Sequence, residues 1–169
     1  ILTAIEDDSA KVPAVAVLSS TEALAQRILD DDTWAYLKRT RTEGGSQSHW
    51  LSMVATSGTS SDRLAALTLL IQASPVHHVQ QLRTLIAAVQ KKVRREIHTS
   101  SDVVKQLFLD ELIPNNRRLI PFNLRPFSSL DTIVGPKGDR LASKCRVLML
   151  WLYEDILKKQ YEMFVDALK

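Results

Sequence analysis

The sequence predicts an all-α protein: a HEAT-like or armadillo-like helical-repeat solenoid of antiparallel helix pairs, with an extended proline-rich crossing segment and a long C-terminal helix. Three observations lead there. Apolar residues recur at spacings of three and four through the middle of the chain, the period of one helix face. Only five glycines and six prolines occur in 169 residues, few for a sheet protein that needs many tight turns. The helical stretches are joined by very short links, and helices so connected must be roughly antiparallel neighbours. With 45% hydrophobic and 24% charged residues, the chain is ordinary for a globular protein and excludes a wholly disordered or collagen-like one.

Residues 1–18 read as a lead-in, acidic at Glu6, Asp7 and Asp8 and then small and apolar around Pro13, and residues 19–169 as a single helical-repeat domain. The chain starts at Ile1, which is expected of a fragment of a larger protein. Ser19 followed three residues later by Glu22 has the form of a capping box and predicts a helix start, supported by Ala23, Leu24 and Ile28. Asp30 to Thr33 offer caps for a second short helix holding Trp34 and Leu37, and the polar run 40–48 predicts a loop.

Gly58 to Asp62 supplies a break and several possible N-caps before a helix from Arg63 to Ile71 that is apolar almost all round and so must lie between neighbours. Ser74 and Pro75 read as a cap and first-turn proline for the next helix. In that helix Val79, Leu82, Leu85, Ile86, Val89 and Val93 form the clearest amphipathic face in the chain. A third pattern carries Ile97, Val104, Leu107, Phe108 and Leu112 and must stop near Pro114. The segment 114–138 holds four prolines together with Phe122, Leu124, Phe127 and Leu130. It is too proline-rich for a helix and too apolar for a free linker, so it is expected in a groove across the helices. The last helix starts near Asp139, with Leu150, Tyr153, Leu157, Tyr161, Phe164 and Leu168 on one face and Glu154–Lys158 and Asp155–Lys159 as i,i+4 pairs. Leu67, Leu70, Leu82, Ile86, Leu107, Phe108 and Trp151 are the expected core.

Chemistry-bearing patterns are sparse. His49, His77, His78 and His98 lack metal-ligand spacing, and the adjacent His77 and His78 point about 100° apart on a helix. Ser57 to Ser61 lacks the surroundings of a nucleophile or phosphate loop and reads as helix capping. The single cysteine, Cys145, excludes an intramolecular disulfide and suits a reducing compartment. No apolar run reaches the roughly 20 residues that a membrane-spanning helix needs. No catalytic residue, metal site or cofactor is expected.

Charge is the one asymmetric feature. Residues 1–32 carry seven acids and two bases, a net charge of −5, against +8 for the remaining 137 residues. Between Arg83 and Arg125 there are nine bases and four acids. Lys91, Lys92, Arg94 and Arg95, with Arg117, Arg118 and Arg125 at the opposite end of a helix, are the candidate RNA-binding residues. Phosphate contacts of this kind fix position without reading sequence. The bland alternative is a solvated set that complements helix dipoles. The Lys91 to Arg95 cluster also has the composition of a nuclear import patch.

From Gly58 to His77 the sequence resembles the CCAAT-binding-factor (Mak21-like) family of nucleolar complex proteins, and Lys91 to Glu96, Leu107 to Pro114, Arg117 to Pro126 and Trp151 to Tyr161 resemble further family blocks in family order. The resemblance covers roughly residues 50–165 and includes no catalytic motif. It implies a non-enzymatic helical scaffold of the nucleus and nucleolus. Such a scaffold would pair with a second nucleolar complex protein and contact pre-rRNA or early large-subunit assembly factors, with no membrane partner. The alternative is a regulator of transcription that binds CCAAT-box DNA. Against it, no helix carries the Arg, Asn and Gln pattern of base-edge readers within a known DNA-binding motif.

Overall fold

The computed structural model describes residues 15–43, 45–90, 94–114, 117–132 and 139–169. Among the described residues all regular structure is helical, with no strand. The all-α class read from periodicity therefore holds. Helix α1 spans Val15–Glu43, α2 Gly45–Ser57, α3 Ser60–Ala73, α4 Val79–Gln90, α5 Arg94–Leu107 and α6 Arg140–Ala167. A π-helical turn, Phe108–Leu112, extends α5, and two 3-10 turns, Phe122–Leu124 and Phe127–Thr132, punctuate the crossing segment.

The N-terminal third differs from expectation. Ser19 lies inside α1 and caps nothing, and the two short helices expected on either side of Asp30 to Asp32 are one helix of 29 residues. Its inner face explains why. Leu18, Glu22, Ala25, Leu29, Thr33, Tyr36 and Thr40 follow one another at threes and fours, all at least partly buried. This continuous face holds the helix through three aspartates whose local preference is for caps. The loop expected over 40–48 is helical as well, apart from Gly44, which lies outside the described residues.

From residue 57 on, the helices fall close to where the sequence places them, with Ser74 as an exception. Thr59 caps α3, its Oγ1 accepting from the Asp62 amide at 3.3 Å. Gly58 donates its amide to the Val54 carbonyl at 2.9 Å, and a Cβ there would stand 2.7 Å from that oxygen. Ser74 does a different job from the one expected. Residues 75–78 form turns and α4 begins at Val79, so the Ser74 hydroxyl caps no amide and instead meets His77 Nδ1 at 2.6 Å. At the far end of α5 the Ile113 amide donates to Phe108 O at 3.0 Å, the five-residue reach of a π turn, which ends the helix just before Pro114.

Helix α2 packs on α3, α3 on α4 and α4 on α5, while α6 returns across α4 and α1. Two hydrophobic cores result. The first joins Leu67, Ile71, Leu82, Leu85, Ile86, Val89, Val104, Leu107, Phe108 and Leu112 to Leu157 and Phe164 of α6. The second joins Ala25 and Leu29 of α1 and Phe122 of the crossing segment to Leu148, Met149 and Leu152 of α6. Each fully buried large side chain contributes about 1.5–3 kcal/mol. Helix α6 is thus a spine gripped from two sides. That is why the single face expected for it is incomplete: Leu157 and Phe164 are buried, but Leu150, Tyr161 and Leu168 are exposed. Among the described residues no helix is long and apolar enough to cross a membrane.

Candidate nucleic-acid interface

The crossing segment is held on α6 by two neighbouring carboxylates. Glu154 Oε1 accepts from Arg117 Nη1 at 2.6 Å and from the Ile120 amide at 3.0 Å, and Glu154 Oε2 meets Arg125 Nη2 at 2.7 Å. Asp155 Oδ1 accepts the Phe122 amide at 3.1 Å, and its Oδ2 pairs with Lys159 at 2.7 Å. Amides that an extended, proline-interrupted strand cannot pair with a helix are satisfied by side chains instead. Apolar packing follows the same path. Phe122 meets Phe127 edge to face at 5.2 Å, and Phe127 meets Trp151 at 5.7 Å. The Arg125 guanidinium lies 5.7 Å from the Trp151 ring centre.

Electrostatics agree with this geometry. Burial disfavours the Glu154 carboxylate, but the hydrogen bonds from Arg117, the Ile120 amide and Arg125 together outweigh it and hold the group below its usual range. The bond that Arg117 donates to Glu154 raises Arg117, and the bond that Lys159 donates to Asp155 raises Lys159. Burial alone pushes the Tyr153 hydroxyl well above its ordinary value.

This clamp sorts the candidate basic residues. Arg125 is a correction: its side chain is 7% exposed and committed to Glu154, so it is an internal anchor and offers nothing to a phosphate. Arg117 gives one nitrogen to Glu154 but stays 55% exposed, and its neighbour Arg118 is exposed. Arg94 and Arg95 open α5, but their side chains lie outside the description. Lys91 and Lys92 lie outside the described residues altogether. Arg117 and Arg125 thus meet at one carboxylate. Arg94 and Arg95 stand at the start of α5, which with its π turn runs 19 residues or about 28 Å.

Sequence reasoning missed the roles of Glu154 and Asp155. The Asp155–Lys159 i,i+4 pair exists, but Glu154 turns to the two arginines. The available signal was two adjacent acids following Trp151, Leu152 and Tyr153 in an apolar helix, with arginines bracketing a proline-rich segment. His77 and His78 join α1 to the α3–α4 link. His77 Nε2 meets Asp32 at 2.9 Å, and its ring stacks on Tyr36 at 4.1 Å. His78, buried, bonds the Ser74 carbonyl through Nδ1 at 3.0 Å. Among the described residues no cluster of histidine, cysteine, aspartate or glutamate is arranged to hold a metal ion. A groove of about 310 Å³ between α3, α4 and α5 is lined by leucines and hydroxyls with Arg63. Among the described residues no carboxylate or imidazole lines it.

No family model matches the chain. Individual relatives do. It is 34% identical over 154 residues to CCAAT/enhancer-binding protein zeta of Mus musculus, which covers 90% of this chain and 14% of that protein. The human protein of the same name matches to the same extent. Ribosome biogenesis protein NOC1 of Chaetomium thermophilum is 32% identical over 162 residues, 91% of this chain and 15% of that protein. The chain therefore spans about one seventh of the length of these relatives. The matches run across the helices and the crossing segment described above, and the chain belongs to the CCAAT-binding-factor (Mak21-like) family.

Proposed function

We propose that this stretch is a non-enzymatic helical scaffold in ribosome biogenesis, acting in the nucleus on early nucleolar precursors of the large subunit and contacting pre-rRNA and assembly factors. The observation that carries the reading is the 32% identity over 162 residues with a protein named for ribosome biogenesis. The fold suits it: α6 ties two cores together, a frame that presents surface. The RNA-facing residues in this reading are Lys91, Lys92, Arg94, Arg95 and Arg118, with the exposed part of Arg117. A second nucleolar complex protein is the expected heterodimer partner. The second reading, a CCAAT-box DNA-binding regulator, is favoured by the name of the mouse and human relatives.

Charge reversal tests the basic set. Replacing Lys91, Lys92, Arg94 and Arg95 by Glu should weaken capture of precursor RNA and flatten its salt dependence while the helical circular dichroism is retained. Unchanged capture with an intact fold means that these residues are merely solvated.

A further inference from the structure

The outward face of α1 exposes an aromatic ring beside two cations. Trp34, Leu37, Lys38 and Arg41 stand at i, i+3, i+4 and i+7, one stripe of the helix, and all four are exposed. Trp34 is 65% exposed and Leu37 41%. The Lys38 ammonium sits 4.9 Å from the Trp34 ring centre, which leaves the second face of the indole open. The opposite stripe, Leu29, Thr33, Tyr36 and Thr40, is the one turned into the protein. Trp34 is therefore not needed to hold α1 in place. Among the described residues, Lys38 and Arg41 enter no ion pair. Asp30 and Asp31 lie one turn before Trp34 on the same side, with the exposed Arg27 a turn further back, so the positive charge nearest the indole is on its C-terminal side, Lys38 and then Arg41 about 10 Å on.

We infer that the Trp34, Lys38 and Arg41 stripe of α1 is a platform for single-stranded RNA, with one base stacked on the open indole face and adjoining phosphates on Lys38 and Arg41. An exposed aromatic beside unpaired cations is what a single strand requires. Every base has a face that can stack, and every linkage carries a negative charge. A duplex keeps its bases stacked on one another and cannot use the indole. This stripe lies outside the basic cluster of the proposed function, but its biological sense rests on that RNA-binding reading.

The test uses the whole 169-residue chain with a fluorescein-labelled 20-nucleotide oligo(U) and a 20-base-pair RNA duplex, read by anisotropy. Expected is tighter binding of the single strand, weakened about ten-fold or more by Trp34→Ala, largely restored by Trp34→Phe, and weakened with a shallower salt slope by Lys38→Glu. Thermal melting should be unchanged, since the replaced side chains are exposed. Binding that Trp34→Ala leaves within two-fold overturns the inference, as does equal affinity for the duplex. If oligo(U) binding survives Trp34→Ala but falls on charge reversal of Arg94, Arg95 and Arg118, only the α1 platform fails. If the chain binds neither nucleic acid, the RNA-binding reading falls with it. A protein partner that caps Trp34 and excludes oligo(U) likewise overturns it.

Discussion

Glu154 and Arg125 meet at 2.7 Å with their side chains 9% and 7% exposed, so the crossing segment is pinned to α6 by a buried ion pair. Removing Arg125 takes away this buried partner and leaves Glu154 only Arg117 and the Ile120 amide, a loss of about 1.5–3 kcal/mol for a buried bond to a charged group. Arg125→Ala should therefore lower the urea midpoint of unfolding substantially. Arg117→Ala, at a half-exposed site on the same carboxylate, should cost about 1 kcal/mol or less. Equal effects would mean that the two arginines share the load.

Acid should find the same pair. The folded-state pKa of Glu154 lies below its ordinary 4.5, so the unfolded chain binds the proton first as pH falls. The stability from this group is present above about pH 4.5 and is lost as pH falls through the folded value. Chemical denaturation at several pH values should show a slope below pH 4.5 that is shallower in Glu154→Gln.

His78 carries the opposite chemistry with the same sign. Burial lowers its pKa below 6.5, and the neighbouring His77 lowers it further, against the raising bond to Ser74. The unfolded state therefore takes up the proton first. Stability is fully present above pH 6.5 and declines as pH falls toward the folded value. NMR titration should give the His78 ring a midpoint below 6.5, and a midpoint at or above 6.5 would contradict its burial against Tyr36, 5.8 Å away.

The π turn makes neighbouring residues very unequal. Phe108 is 1% exposed and packs on Tyr161 at 5.3 Å and Phe164 at 5.7 Å, whereas Leu109 is 58% exposed. Phe108→Ala should cost about 3–5 kcal/mol, and Leu109→Ala about 0.5 kcal/mol or less. Both are measurable by equilibrium denaturation.

Gly58 tests the α2–α3 junction. An added methyl meets the Val54 carbonyl at 2.7 Å and Val54 Cγ1 at 3.1 Å, and the first of these is backbone that cannot swing away. Gly58→Ala should destabilise by about 1–3 kcal/mol. A neutral result would show that α2 can shift.

What the sequence revealed depended on how local the cause was. The α3 cap at Thr59, the amphipathic face of α4 and the stop before Pro114 follow from neighbouring residues, and all were readable. The length of α1 was not, because its aspartates favour breaks and only the packing of Leu29, Thr33 and Tyr36 keeps the helix going. Arg125 was misread for a related reason. A basic residue counts as surface until its buried acid is known, and Glu154 lies 29 positions away. Of the expected core, Leu67, Leu70, Leu82, Ile86, Leu107 and Phe108 are buried and Trp151 is only partly buried where it meets Phe127, whereas the second core of Ala25, Leu29, Leu148, Met149 and Leu152 was not among the expected residues.

The decisive measurement is to crosslink the full-length protein to nucleic acid in cells and sequence what is recovered. Large-subunit precursor RNA, with crosslinks mapping near Lys91 to Arg95, is the predicted result. Promoter DNA bearing CCAAT boxes, with no ribosomal precursor RNA, would contradict a scaffold of ribosome assembly.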